Sequence, residues 1–368
     1  MNSTKKHIYF LDYLRTIAAL SVIYMHTAAG PLRGGFNTDW EFINVLTSFA
    51  FTAVPIFLMI SGYLILSSEK TASISVLIKD RMPRLVIPLI VWTAVAIFWT
   101  LYSRHELTSR AIITCAVDAL NQPAAIHLWY MYTLIAIYAI SPLLYGAIQS
   151  LNRSGNIYVL VLIGLVSLQA IAQSLLPGNF VKLANIDFLN KMQIFGGYLG
   201  IFILGYYLGN TQKQIHNGIL ISAAVLLLGI IVFGTRTVSY QSNEYIQIFQ
   251  QQSAGYEVLL AACIFLLFKQ NFNKPSKLLH TFSFVPLLFS VYLMHNILLS
   301  MFYSFGIQPI SFGDTLLITL LNFLICWMFL KTIASIKSLC YLVTGIRYDD
   351  ACRSCNWIYT FKRTSKKT

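Results

Sequence analysis

Two residues in one apolar stretch are the first candidates for chemistry. Residues 10–30 read "FLDYLRTIAALSVIYMHTAAG", with Arg15 near the start and His26 near the end. Eleven residues separate them. On an α-helix that spacing is ~1100°, three turns plus ~20°, so both stand on one face, with a rise of ~16 Å between them. A guanidinium binds phosphate or carboxylate through paired N–H donors. A neutral imidazole can take a proton from a hydroxyl. Both are costly in hydrocarbon, which makes each a functional hypothesis by default. The ordinary alternatives are a snorkelling Arg15 and a satisfied interfacial His26. The shared face argues against two independent accidents. Asp12, three residues before Arg15, can pair with it along the helix.

Further polar residues interrupt other apolar runs. Arg81 and Arg84 lie three apart in "KDRMPRLVIP", either as positive charge beside a membrane span or as a clamp for phosphates. His127, Trp129 and Tyr130 open "HLWYMYTLIAIYAISPLL" and could form an interfacial aromatic belt or line an acceptor site or pore. His295 lies mid-run in "SVYLMHNILLS", beside Asn296, and should face the protein interior, as packing glue or at a reaction site. Glu257 is a rare carboxylate within an apolar run and could orient a histidine. Cys115, Cys263, Cys326 and Cys340 read as small hydrophobes. Cys352 and Cys355 form one CxxC without a second pair, so no metal site is expected. No G-x-S-x-G or Walker motif is present.

The elements that must position these residues are membrane helices. The chain has 368 residues, is 57% hydrophobic and only 11% charged, with a mean hydropathy of +0.67. Apolar runs of ~17–25 residues suffice to cross a bilayer. They recur near 10–29, 42–67, 83–102, 127–149, 157–176, 192–210, 217–234, 253–269, 283–305 and 314–337. The expected fold is an all-α polytopic bundle of about ten transmembrane helices. Residues 1–345 form one transmembrane domain and 346–368 a short basic tail. Residues 108–121 are too polar to cross and should lie as an amphipathic helix at the surface. No cleavable signal peptide is read at the start, so the first span serves as an anchor.

The net charge of +13 does not indicate nucleic-acid binding, because the basic residues sit in short loops and in the tail "FKRTSKKT". Lys5, Lys6, Lys70, Lys79, Arg81, Arg84, Arg153, Lys213, Lys269, Lys274, Lys277 and the tail fall on one side. Arg33, Arg104, Arg110, Lys182, Lys191 and Arg236 fall on the other. The positive-inside bias makes both termini cytoplasmic.

Five pieces then fall in an order that resembles the acyltransferase-3 family of integral membrane acyltransferases. They are "LDYLRTIAALSVIYMHT", "VPIFLMISGYL", "RMPR", "HLWYMYTLIAIYAISPLL" and "SVYLMHNILLS". The nearest resemblance is to surface-polysaccharide O-acetyltransferases of the enterobacterial common antigen type. Residues ~150–280 match in hydropathy alone. The resemblance implies a multi-pass cell-membrane enzyme of bacterial type with no tightly bound cofactor. Its donor would be acetyl-CoA or another acyl-CoA, and its acceptor a hydroxyl of an envelope glycan or lipid-linked sugar. It also implies His26 as the catalytic residue and Arg15, Arg81 and Arg84 as acyl-CoA ligands. Direct transfer with His26 as general base is favoured over an acyl-histidine. A polysaccharide exporter or flippase is the rival reading, and it needs no thioester. A reporter fused after Thr368 should be active only as a cytoplasmic fusion. An extracytoplasmic signal would reverse the placement of Arg15 and His26.

Overall fold

The computed structural model of the chain describes residues 7–175, 197–275, 284–355 and 357. Among these the fold is all-α and polytopic, with no strand. The N-terminal helices are α1 (Tyr9–Arg33), α2 (Thr38–Ala50), α3 (Ala53–Leu66), α4 (Met82–Ser103) and α5 (Ser109–Asp118). Then come α6 (Trp129–Ser150), α7 (Arg153–Leu175), α8 (Tyr198–Asn210), α9 (Asn217–Ser242) and α10 (Gly255–Asn271). The last described helices are α11 (Leu288–Ser304), α12 (Phe312–Ile333), α13 (Lys337–Thr344) and α14 (Tyr348–Ser354).

Among the described residues, seven helical stretches are long and apolar enough to cross a membrane. They are Thr38–Leu66, Ile74–Ser103, Ile126–Ser150, Arg153–Gln173, Asn217–Ser242, Val285–Ser304 and Phe312–Ile333. Each coincides with an expected span. The other three expected spans differ for separate reasons. The first is α1, 25 residues long, whose hydropathy is diluted by Asp12, Arg15 and His26. The run at 253–269 is α10, with 17 residues, or ~26 Å against ~30 Å of hydrocarbon. The run at 192–210 is seen as α8 from Tyr198 on; residues 192–196 lie outside the described residues. So do Lys5, Lys6, Lys182, Lys191, Lys277 and the tail from 358.

The chain divides into two compact units. One comprises Met1–Met25, Pro31–Glu69 and Leu144–Thr281. The other comprises His26–Gly30, Lys70–Leu143 and Phe282–Thr368. In the first, α3 and α8 cross at backbone contact. A Cβ on Gly62 would sit 1.7 Å from the Phe202 carbonyl oxygen, and one on Gly205 2.2 Å from that of Met59. Helices in lipid gain little from apolar burial, so close van der Waals contact through small residues takes its place. A buried polar network ties α2 to α9 and the segment before α10. Gln250 Nε2 donates to Asn44 Oδ1 at 3.0 Å and to Ser48 Oγ at 2.8 Å. Asn44 Nδ2 donates to the Val232 carbonyl at 3.1 Å.

In the second unit, α4 packs on α11 and α13, and α11 packs on α12. Trp92 Nε1 donates to the Val343 carbonyl at 3.0 Å, and Ser290 Oγ to that of Thr344 at 3.3 Å. Gly345 ends α13 with φ +69°, and a Cβ there would lie 2.5 Å from the Arg84 carbonyl oxygen. The left-handed turn and the close approach both call for glycine. Helix α5 leaves Ile112, Ile113 and Val117 exposed, with Leu120 just beyond it.

Overpacking a tight crossing costs about 1–3 kcal/mol or more. Gly205→Val should therefore lower the thermal midpoint of the detergent-solubilised protein. Gly229→Ala should not, because open space surrounds Gly229 and alanine favours helix. Scanning fluorimetry checks both. Equal midpoints would refute the α3–α8 crossing.

Candidate active site

Three imidazoles from distant parts of the sequence meet in the second unit. His26 comes from the late turns of α1. His127 sits in a short 3₁₀ turn, Ile126–Leu128, that leads into α6. His295 sits midway along α11. The ring centroids of His127 and His295 are 4.9 Å apart, those of His26 and His295 5.3 Å, and those of His26 and His127 6.3 Å. His127 and His295 are buried, at 1% and 0% exposure. His26 is half-buried and is the accessible member of the three.

Two of the rings are held by backbone carbonyls of one helix. His127 Nε2 lies 3.0 Å from the Leu293 carbonyl oxygen, and His295 Nδ1 lies 2.6 Å from that of Tyr292. A carbonyl only accepts, so each of these nitrogens carries the proton. In the singly protonated ring the remaining nitrogens, His127 Nδ1 and His295 Nε2, are bare acceptors. Both are buried, and neither has a hydrogen-bond partner within the protein. The backbone around the rings is fixed in turn. The Tyr292 hydroxyl donates to the His127 carbonyl, and Asn322 Nδ2 of α12 donates to the His295 carbonyl at 2.9 Å.

Tyr292 and Asn322 were not among the residues singled out from the sequence. Tyr292 had a signal: it stands three residues before His295, on the same helical face. Asn322 had only the weak signal of a lone amide in an apolar run. Tyr130 is buried, its ring edge-on to Tyr292 at 5.7 Å, and Trp129 is half-buried beside it.

The arginines occupy separate settings. In the second unit, Arg81 closes a π-helical turn, Leu77–Arg81, and Met82 then begins α4. Such widened turns occur often at functional sites. Arg81 Nη1 donates to Thr71 Oγ1 at 2.8 Å, whereas Arg84 is exposed one turn on. Asp80 in the same turn pairs with Arg347 at 2.6 Å. In the first unit, Arg15 Nη1 lies 3.8 Å from Asp12 Oδ1, and Asp12 Oδ2 lies 2.5 Å from His7 Nε2. Glu257 is fully buried in the first unit, and neither carboxylate oxygen has a hydrogen-bond partner.

Among the described residues, no group of three His, Cys, Asp or Glu is arranged to hold a metal ion. A cavity of about 180 Å³ lies under α5, lined by Ile97, Thr100, Cys115 and Asp118 among others. No histidine of the cluster lines it.

A family model described as an acyltransferase domain matches residues 8–331. The chain belongs to the acyltransferase-3 family. It is therefore an acyltransferase that moves groups other than aminoacyl groups. No curated protein and no solved structure shows a significant match. In an acyltransferase-3 chain, an accessible imidazole beside two buried ones is chemically suited to removing a proton from a hydroxyl. The fixed tautomers of its neighbours keep both as hydrogen-bond acceptors there.

The tail cysteines differ in setting. Burial pushes the Cys355 thiol up to about 11, largely through desolvation, whereas Cys352 is only half-buried. The thiolate is the reactive form. Iodoacetamide at pH 8 should therefore label Cys352 well before Cys355, and Cys355 should react only as the pH approaches its raised pKa. Peptide mass spectrometry resolves the two. Equal rates at pH 8 would contradict the burial of Cys355.

Proposed function

We propose that the protein is a membrane O-acyltransferase of the cell membrane. It moves an acyl group, in the simplest case acetyl, from cytosolic acyl-CoA to a hydroxyl of an envelope polysaccharide or lipid-linked sugar. The observation that carries this reading is the accessible His26 imidazole, clustered with two buried histidines in an acyltransferase-3 chain.

His26 takes the acceptor hydroxyl proton as its oxygen attacks the thioester carbonyl. The C–O bond forms, the tetrahedral intermediate collapses, and the C–S bond breaks. The CoA thiolate then takes the proton back from the His26 imidazolium. No acyl-enzyme is needed. Arg81 and Arg84 bind the phosphates of the donor. Thr71 steadies the Arg81 guanidinium, while Arg84 stays exposed for an incoming anion. The family motif implies the same ligand for Arg15, whose carboxylate neighbour is Asp12.

The test uses the full chain in nanodiscs with radiolabelled acetyl-CoA and envelope extract. His26→Ala should slow transfer by ~10²–10⁴-fold while acetyl-CoA affinity is kept. Wild-type transfer should fall as the pH drops and the imidazole protonates, since the imidazolium cannot accept a proton. Near-normal turnover by His26→Ala would sink the mechanism. The Arg81→Ala, Arg84→Ala double variant should lose acetyl-CoA affinity, and lysine at both positions should restore it only in part, since the paired fork is lost. Unchanged affinity in the double alanine variant would return the two arginines to the role of topology signals.

A further inference from the structure

We infer that His127 Nδ1 and His295 Nε2 form a twin acceptor for the hydroxyls on either side of the reacting one, so that the acceptor is a sugar whose reacting hydroxyl is flanked by two unsubstituted vicinal hydroxyls. This rests on the proposed acyl transfer and adds the chemistry of the acceptor to it.

The reasoning follows the balance of donors and acceptors. A buried acceptor without a donor costs about 1–3 kcal/mol. The cluster holds two such atoms, on rings whose centroids are 4.9 Å apart. Each ring is oriented so that its N–H goes to the backbone of α11 and its lone pair is left over. Neither ring can exchange its tautomer without placing a lone pair against a carbonyl oxygen, so the device accepts and does not donate. The proton of the reacting hydroxyl is committed to His26. The lone pairs of His127 and His295 must then be met by other O–H groups carried in with it. Free hydroxyls on the two neighbouring carbons supply one apiece, each a single C–C bond away and within reach of rings that lie beside His26. An isolated alcohol supplies none. An ether or ester at the neighbouring carbon would set an acceptor against an acceptor. The reaction that substitutes the neighbouring hydroxyl must therefore follow this acyl transfer, not precede it.

Periodate cleaves vicinal diols and spares isolated hydroxyls, so it separates the two kinds of acceptor. Envelope extract is split, and one half is oxidised with periodate and reduced with borohydride. Wild-type protein in nanodiscs should label the untreated half from radiolabelled acetyl-CoA and leave the oxidised half unlabelled. Equal labelling of both halves overturns the requirement for free flanking hydroxyls. Absence of labelling in the untreated half with every acyl-CoA offered overturns the acyl transfer on which it rests. Variants give an independent reading with the untreated extract. His127→Leu and His295→Leu should each raise the KM for extract roughly three- to tenfold, the worth of one hydrogen bond. His127→Asn and His295→Gln, whose amide oxygens can overlie the bare nitrogens, should recover much of that loss. A fall in kcat alone, with KM unchanged and no rescue by the amides, overturns the twin acceptor.

Discussion

Everything at the histidine cluster depends on one constraint: a ring buried among apolar helices must give its N–H to something. In His127 and His295 the recipients are carbonyls of α11, at Leu293 and Tyr292. Helix carbonyls have a second lone pair, so they can take these bonds while still serving the helix. That choice fixes the tautomers and leaves two lone pairs unmatched. A carboxylate in place of either carbonyl would also hold the ring, but it would favour the charged imidazolium. The carbonyls orient the rings without adding that charge. Tyr292 serves twice, since its carbonyl receives His295 and its hydroxyl donates to the backbone of His127.

The surrounding helices are held by contacts suited to a membrane chain. Where apolar surface meets apolar lipid, the hydrophobic effect does little to bring helices together. In the first unit, Gly62 and Gly205 let backbones touch, and the Gln250–Asn44–Ser48 network supplies satisfied hydrogen bonds. In the second, indole and hydroxyl donors reach backbone carbonyls at the end of α13. These bonds fix the helices that carry His295 and Arg84 against α13. Rigidity matters because imidazoles can share a substrate only if each ring is held in place before it binds.

The two proposed halves of the chemistry have opposite exposure. Arg84 lies open and Arg81 is half-buried at a widened helical turn, which suits a large, charged donor arriving from water. The histidines are buried, apart from the accessible flank of His26, which suits a step best kept from water. A single helix, α1, runs unbroken from Arg15 to His26, so its rise fixes the spacing of those two residues.

Much of this protein follows from the sequence by itself. Long apolar runs with few charges leave helices as the fold, because a lone backbone in hydrocarbon must bond to itself. The eleven-residue spacing puts Arg15 and His26 on one face because the pitch of a helix is fixed. Five motifs in order pointed to the family. Local sequence also held a quieter signal, the Tyr292–His295 spacing, which becomes meaningful once the carbonyl bonds are seen. Tertiary structure alone decided the rest. That His26, His127 and His295 meet depends on the packing of helices far apart in the chain, and no periodicity encodes it. The tautomers depend on which carbonyls face each ring, and Asn322 counts only because α12 packs beside α11. The π-helical turn at Arg81 is a backbone choice made in tertiary context. Local patterns report the faces of elements; the direction of a buried lone pair is set only when those faces are joined.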